Sequence, residues 1–243
     1  MIFSLSMMNS KLESLHSLAH TPELLNTIKF LIGDSAFPHP LSICRLVFRD
    51  NNAWATPPNQ DYPNNQGTYD LYACWIPLAD CSPVSGALAV SKGSHKLGIL
   101  PVKFSLGAGH RQCVLDDRHK QLEWVSGEFK QGDVLIFHSL TVHRSLENNT
   151  QSMRISVDYR FQREGEPITE NCLLPHFNRL SWDEIYENWK NKELQYYWTD
   201  KNLPRSEWDE TLSAVPEEMF MKGIVIHQRY LQARNKRFAP EEK

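Results

Sequence analysis

The sequence predicts a mainly β protein with helices before and after the β region. From residue 41 to about 159, short runs rich in Val, Ile and aromatic residues alternate with Gly, Pro, Asn and Asp, as in strands joined by turns. Because no helical pattern interrupts these runs, the strands are expected to pair antiparallel in a sandwich or barrel, which excludes a doubly wound parallel sheet. Helical spacing of apolar residues is found only towards the two ends of the chain.

Two short helices are expected near the N-terminus, within about residues 10–35. Leucine and isoleucine recur near helical spacing there, and Thr21 supplies a capping residue before Pro22 at the first helical position. Predicted strands follow in a β core of about residues 41–161. They include residues 42–48, 71–78, 87–91, 98–104, 134–137 and 153–161.

The C-terminal part is expected to return to helix over about residues 181–237. The helical spacing begins after Ser181 with Trp182, Ile185, Tyr186 and Trp189, and residues 217–237 are predicted to form a final helix. A long polar insertion at residues 105–130 lies between strands. Since no repeat or Gly/Ser-rich linker divides the chain, residues 1–243 are predicted to form a single domain.

The composition argues against several classes of protein. A mean hydropathy of −0.48, with no apolar run approaching the ~20 residues of a membrane span, argues against a membrane protein. Lys and Arg number 26 against 29 Asp and Glu, so the net charge of −3 offers no electrostatic footprint for nucleic acid. Five scattered cysteines without a CxxC pair indicate reduced thiols and an intracellular, cytoplasmic protein.

Residues 153–161 carry the first candidate for chemistry. Apolar side chains alternate there with Arg154, Ser156, Asp158 and Arg160, which predicts one apolar and one polar strand face. The plainest interpretation is a half-solvated strand. The alternative is that Arg154 points into a pocket, where its planar guanidinium binds a carboxylate through two hydrogen bonds.

Three other short segments carry candidate residues. His143 and Ser145 are two residues apart and share a face in extended chain, and Asn59 and Asp61 do the same in a Pro- and Asn-rich stretch. Each of these segments alone is typical of a hydrogen-bonded histidine or of a loop. Trp75 belongs to a segment that is apolar on both faces and is therefore predicted to be buried.

Several short segments, which occur in the same order along the chain, resemble the phytanoyl-CoA dioxygenase-like branch of the iron- and 2-oxoglutarate-dependent oxygenases. The resemblance covers about residues 41–161, roughly half of the chain. It is carried by Asn59-Gln60-Asp61-Tyr62, Trp75-Ile76-Pro77-Leu78-Ala79-Asp80, Gly86-Ala87-Leu88, Gly93-Ser94-His95-Lys96, Gly132-Asp133 with the run to Phe137, His143 and Arg154.

This resemblance implies a double-stranded β-helix, also called a jelly roll, of cupin-like architecture. It implies Fe(II) bound by two histidines and one carboxylate, with open positions for 2-oxoglutarate and O₂. In the matching positions, Asp61 and His143 are the expected metal ligands, and Asn59 stands where the family has its first histidine. The resemblance further implies that Arg154 binds the distal carboxylate of 2-oxoglutarate with help from Ser145, while Trp75 lines the pocket.

The function implied by the resemblance is a dioxygenase that hydroxylates a C–H bond of a small molecule and releases succinate and CO₂. Because Asp61 is retained, a halogenase is disfavoured. The amide of Asn59 is a weaker donor to Fe(II) than an imidazole, so the alternative is a non-catalytic jelly-roll binding protein whose metal site has decayed. His138 does not substitute, since its odd separation from His143 places the two on opposite strand faces. A cupin-type metal hydrolase is a third interpretation and would require more nitrogen ligands.

Overall fold

The computed structural model describes residues 11–49, 55–105, 107, 109 and 111–214. Its α-helices are α1 Glu13–Leu18, α2 Pro22–Ile32, α3 Tyr62–Asn65, α4 Asp117–Lys120 and α5 Trp182–Tyr186. Its strands are β1 Ala36–Pro38, β2 Ile43–Val47, β3 Tyr72–Pro77, β4 Leu88–Ser91, β5 Val102–Phe104, β6 Arg111–Cys113, β7 Trp124–Val125, β8 Leu135–His138, β9 His143–Ser145 and β10 Arg154–Arg163. The predicted mainly β class is confirmed.

The larger sheet is built around β10, which is the longest strand of the described chain. Its strand order is β1-β10-β3-β8, and β2 pairs with the other end of β10 on the same side as β1. Every pairing is antiparallel, and the register places Asp158 beside Trp75 of β3 and Ile43 of β2. The order explains why non-consecutive segments of the sequence meet on one strand.

A smaller sheet, with the order β7-β4-β9, lies against the inner face of the larger one. Its strands are also antiparallel, and a separate hairpin joins β5 to β6. The two sheets share a buried cluster in which Trp75 and Phe137 of the larger sheet meet Leu88 of the smaller one. The interior between the sheets is therefore the natural place for a site.

The outer face of the larger sheet is covered by the two N-terminal helices. Val157, Tyr159 and Phe161 alternate along β10 and pack against the apolar faces of α1 and α2. The helix residues in this cluster are Leu15, Ala19, Leu24, Ile28 and Ile32. The predicted pair of N-terminal helices is thus confirmed, although the Thr21 hydroxyl donates back to the carbonyl of Leu18 and does not cap α2.

The inner face of β10 is polar and buried, which corrects the interpretation of this strand as half-solvated. Its inward side chains are Arg154, Ser156, Asp158, Arg160 and Gln162, and all five have at most 6% of their surface exposed. The physical reason is that the smaller sheet covers this face. Buried charges carry a large desolvation cost unless they are paired, so this face is a candidate for a functional site.

Two further expectations need correction. The insertion at residues 105–130 is partly structured, since it contains β6, α4 and β7. The predicted C-terminal helix is also shorter than expected: α5 ends at Tyr186, and only a 3-10 turn at Glu210–Leu212 follows before residue 214. The backbone amides of Lys190 and Asn191 donate to the carboxylate of Glu13 and not to helical carbonyls. The predicted helix at residues 217–237 lies outside the described residues.

The aromatic residues of the C-terminal segment pack against the body of the protein. A buried cluster joins Tyr186, Trp189 and Trp198 to Phe37 of β1, and the indole of Trp189 donates to the carbonyl of Lys11.

In the described part of the chain no helix is long and apolar enough to cross a membrane. No disulfide joins the five cysteines, all of which lie in that part.

Candidate active site

Asn59 continues the smaller sheet beyond β9. The backbone amide of Asn59 donates to the carbonyl of His143 at 2.9 Å, and the amide of His143 donates to the carbonyl of Asn59 at 3.0 Å. The chain then turns, and Asp61 has helical backbone angles (φ −76°, ψ −34°) at the start of α3. The expectation that Asn59 and Asp61 share an extended strand face is therefore wrong. Pro63, near the start of α3, favours the helical turn that redirects Asp61.

The imidazole of His143 is held in one orientation by a backbone carbonyl just before β9. Nδ1 lies 3.0 Å from the carbonyl of Thr141, and because that oxygen only accepts, Nδ1 carries the proton. Nε2 is then a free lone pair and lies 3.8 Å from Oδ1 of Asp61. Burial lowers the pKa of His143, against the opposing effect of Asp61, so the ring is neutral at pH 7. A neutral, oriented imidazole of this kind is the form that binds metals.

The carboxylate of Asp61 forms a two-bond ion pair with Arg160 on the inner face of β10. The Arg160 side chain donates from Nη2 to Oδ1 at 2.9 Å and from Nε to Oδ2 at 3.1 Å, and both side chains are almost fully buried. Burial alone would raise the pKa of Asp61, but the guanidinium and His143 outweigh it and leave the pKa below its usual value. Asp61 is therefore an anion that faces His143 on one side and Arg160 on the other.

Arg154 is a buried cation at the other end of the same strand face. Its guanidinium donates to the carbonyl of Gly86 at 3.0 Å and to the hydroxyls of Ser156 and Ser145 at 2.6 and 2.8 Å. It forms no ion pair with any carboxylate of the described residues. Burial lowers its pKa to about 10, which still leaves it charged at pH 7. This is the arrangement expected of a cation that binds an anionic ligand.

Trp75 lies beside this cation. The guanidinium carbon of Arg154 is 5.7 Å from the centre of the indole ring, within the range of a cation–π contact. The indole Nε1 is buried and has no hydrogen-bond partner among the described residues. Buried donors are normally satisfied, so this N–H together with Arg154 favours a polar ligand in the interior.

The two halves of the site are connected through β9. His143 and Ser145 project from the same face of this strand, two residues or about 7 Å apart, as predicted. The structure therefore brings Asp61 to His143, and Ser145 and Trp75 to Arg154. Both halves open onto the interior between the two sheets.

Two ion pairs of this interior could not be predicted from the sequence. Arg160 binds Asp61, and Asp158 forms a 2.6 Å ion pair with Arg45 of β2. The signal for these pairs is the alternation of charged residues along residues 153–161, a pattern that by itself predicts a solvated strand face. Their partners are 99 and 113 residues away along the chain, so spacing alone could not pair them.

Asp61 and His143 are placed so that one metal ion could contact both side chains, and Asn59 would add a third ligand only through its neutral Oδ1. Asp61 Oδ1 and His143 Nε2 are 3.8 Å apart, which two metal–ligand bonds of about 2.1 Å can span. The amide nitrogen of Asn59 donates to the carbonyls of Pro57 and His143, so this side chain is engaged with the backbone. Within the described residues, no group of three His, Cys, Asp or Glu side chains could hold a metal. His138 is not a replacement, since its Nδ1 accepts from the amide of Leu140.

The interior of this β fold combines the His143–Asp61 pair with Arg154, a cation that has no carboxylate partner among the described residues. Residues 7–156, more than half of the chain, match the family model of phytanoyl-CoA dioxygenase. The chain belongs to this family, and the predicted membership is confirmed.

Curated relatives and solved structures agree with this assignment. The 1-deoxypentalenic acid 11-beta-hydroxylase of Streptomyces exfoliatus is 31% identical over 131 residues, which are 51% of this chain and 46% of the relative. The Streptomyces arenae hydroxylase of the same name is 30% identical over the same length. The chain thus spans about half the length of the curated relatives it matches.

Two solved structures show the same fold at low sequence identity. One is the epimerase SnoN in complex with Fe3+, alpha ketoglutarate and nogalamycin RO, with a TM-score of 0.57 and 17% identity over 68% of this chain and 65% of that chain. The other is the alpha ketoglutarate dependent carbocyclase SnoK from nogalamycin biosynthesis, with a TM-score of 0.52 and 19% identity over 63% of this chain and 59% of that chain. The predicted jelly-roll fold is confirmed.

Proposed function

We propose that this protein is an Fe(II)/2-oxoglutarate-dependent dioxygenase that hydroxylates a C–H bond of a small molecule. The observation that carries the proposal is Arg154. It is a buried guanidinium with two hydroxyl partners and no carboxylate among the described residues, on the same interior as the Asp61–His143 pair. A fold that leaves a buried cation unpaired usually supplies its counter-ion from a ligand.

In this proposal, Arg154 and Ser145 bind the distal carboxylate of 2-oxoglutarate. The planar fork of the guanidinium matches a carboxylate, and the 2.8 Å bond from Nη2 to the Ser145 hydroxyl orients the two groups together. The indole N–H of Trp75, which has no partner among the described residues, is a further donor beside Arg154. Because His143 is two residues before Ser145 on the same strand face, the keto acid end of the ligand extends towards Asp61 and His143.

Asp61 and His143 would hold the iron ion. Both are in the charge state that a metal requires, since Asp61 is ionised and His143 is neutral with an unprotonated Nε2 that faces Asp61. When bound, iron and 2-oxoglutarate supply the oxidising chemistry, in which O₂, 2-oxoglutarate and R–H give succinate, CO₂ and R–OH. The chain's own part is to hold the co-substrate, to keep bulk water out and to fix the geometry.

The relatives support a small organic molecule as the substrate. One curated relative is named for the hydroxylation of 1-deoxypentalenic acid, and one structural neighbour contains nogalamycin RO. A net charge of −3 provides no attraction for nucleic acid, which is consistent with a small-molecule partner.

A second candidate function is a non-catalytic dicarboxylate-binding protein. It is favoured by two contacts: the Asn59 amide is engaged with backbone carbonyls, and both oxygens of Asp61 are bound by Arg160. Such a protein would bind 2-oxoglutarate through Arg154 without metal and would not consume it.

The test is the conversion of 2-oxoglutarate to succinate under O₂ by the Fe(II)-loaded full chain. We expect succinate to form with the parent protein and to fall at least tenfold in His143→Ala and in Asp61→Ala. Thr141→Ser keeps the carbonyl that orients His143 and serves as the folded control. If the parent binds 2-oxoglutarate but forms no succinate above the His143→Ala background, the binding protein replaces the enzyme.

A further inference from the structure

Asp61, the carboxylate expected to bind a divalent cation, already forms an ion pair with Arg160. Arg160 Nη2 donates to Oδ1, the same oxygen that faces Nε2 of His143. The Arg160 side chain is only 4% exposed, so solvent does not screen its charge. A metal ion coordinated by Oδ1 would therefore lie beside a buried, fixed positive charge.

We propose that Arg160 is the internal counter-ion of Asp61 and competes with the metal ion, so that it lowers the affinity of the site for divalent cations. This inference rests on the proposed function and deepens it, because it assigns the control of metal affinity to one residue. Arg160 is a positioning residue in this account. It would not contact the metal ion, and it would affect metal binding by holding Asp61 and by repelling the cation.

Two observations support competition between Arg160 and the metal ion for Asp61. First, Arg160 uses both Nε and Nη2 on both oxygens of Asp61, so the anion is already neutralised as a pair when no metal is bound. Second, Nη1 of Arg160 is buried without a hydrogen-bond partner among the described residues. A buried donor without a partner is costly, so the contacts of Arg160 in the metal-free site leave part of the guanidinium unsatisfied.

The site also lacks the ligand that would offset this competition. Asn59 donates its Nδ2 to backbone carbonyls and offers a metal only a neutral amide oxygen, so Asp61 and His143 are the two strong protein ligands. A two-ligand site next to a fixed cation is expected to hold metal weakly and to depend on the co-substrate as a chelator.

The experiment measures Mn(II) binding to the chelator-treated full chain by equilibrium dialysis at a fixed, saturating concentration of 2-oxoglutarate. Mn(II) is the probe because it prefers the same oxygen and nitrogen ligands and does not react with O₂ here. Arg160→Gln removes the charge and keeps one donor. We expect it to bind Mn(II) at least tenfold more tightly than the parent.

Arg160→Lys tests the same idea without removing the charge. If the charge is what competes, the lysine variant binds Mn(II) within threefold of the parent, even though it cannot hold both oxygens. Arg163→Gln is the matched control, since it removes an arginine of the same strand that pairs with Asp70 and Glu166 and not with Asp61. We expect a change of less than threefold.

The outcomes are distinct. Tighter binding by Arg160→Gln together with unchanged binding by Arg160→Lys supports competition. If Arg160→Lys binds at least tenfold more weakly than the parent, the guanidinium fork orients Asp61 for the metal and the inference is overturned, even if Arg160→Gln does not fold. If the parent binds Mn(II) and Arg160→Gln binds no more tightly, only this inference fails. If neither parent nor variants bind Mn(II), the proposed function fails with it.

Discussion

At the scale of single residues, the site is organised around Asp61, whose two oxygens accept from Arg160 while Oδ1 also faces Nε2 of His143. Asp61, His143, Ser145 and Arg154 could be placed from ordered phrases of sequence, and the structure groups them around one interior. Arg160 could not be paired with Asp61, because a contact over 99 residues depends on how the sheets pack. The assigned roles of these residues, and of Trp75 and Asn59, stay predictions.

Replacing Arg154 with Ala is expected to weaken 2-oxoglutarate binding at least tenfold. Loss of one partner of a desolvated charge pair costs about 2–5 kcal/mol, which is more than one factor of ten in Kd. Calorimetric titration measures the affinity. Arg163→Ala is the control, since Arg163 lies on the same strand but forms its ion pairs with Asp70 and Glu166 at the surface. Equal affinity of the parent and Arg154→Ala would remove Arg154 from the binding site.

Replacing Asn59 with His is expected to tighten Fe(II) binding. The change exchanges an amide engaged with two carbonyls for an imidazole, next to His143 in the sheet, and would complete a set of two histidines and one carboxylate. Anaerobic Fe(II) titration measures the affinity, and Asn64→His on the exposed side of α3 is the control. An unchanged Fe(II) affinity in Asn59→His would show that position 59 does not face the metal.

At the scale of elements, alternation predicted the two faces of β10 but not their environments. The outer face carries Val157, Tyr159 and Phe161 against α1 and α2, as the apolar pattern indicates. The pattern alone predicts that the polar face is solvated, because the strands that cover it, β4 and β9, belong to other segments of the sequence and pair with each other in the second sheet. Burial of a strand face is decided by the second sheet, and a local pattern does not contain that information.

Tyr159→Phe tests the packing of β10 against α1. The Tyr159 hydroxyl donates to the carbonyl of Leu15, and both groups are buried. Losing this bond should lower the free energy of unfolding by about 1 kcal/mol, a typical net value for one hydrogen bond. Urea denaturation measures it. Because Tyr159 lies on the outer face, the 2-oxoglutarate affinity should not change; a large loss of affinity would mean that the two faces are coupled.

At the scale of the whole molecule, the mainly β class and the jelly roll followed from the sequence, whereas the C-terminal region did not. Its aromatic spacing resembles a long helix, but Glu13 binds the amides of Lys190 and Asn191 and the chain folds back against β1. A single domain and a cytoplasmic location stay predictions.

Buried histidines make the stability of the whole fold sensitive to acid. His39 is fully enclosed after β1, where its Nε2 donates to Oε1 of Gln162 at 2.7 Å, and burial lowers its pKa from 6.5 to about 4. Below pH 6.5 the unfolded chain takes up a proton that the folded chain does not bind until about pH 4. The contribution of His39 is therefore fully present above pH 6.5 and is lost as the pH falls towards 4.

Between pH 7 and pH 5 this effect should lower the free energy of unfolding by on the order of 2 kcal/mol. The pKa values of His20 and His176 are also lowered to about 4 by burial and act in the same direction. Urea denaturation at the two pH values measures the difference, and His39→Gln should show a smaller one. Identical unfolding free energies of the parent at pH 7 and pH 5 would contradict the buried, neutral state of these histidines.

The most direct test of the proposed function is the metal content of the full chain after anaerobic reconstitution with Fe(II), with and without 2-oxoglutarate. Two protein ligands and a chelating co-substrate predict weak retention of iron alone and retention approaching one iron per chain when 2-oxoglutarate is present. His143→Ala should retain none under either condition. If the parent retains no more iron than His143→Ala with 2-oxoglutarate present, Asp61 and His143 do not form a metal site and the assignment of an iron-dependent dioxygenase is wrong.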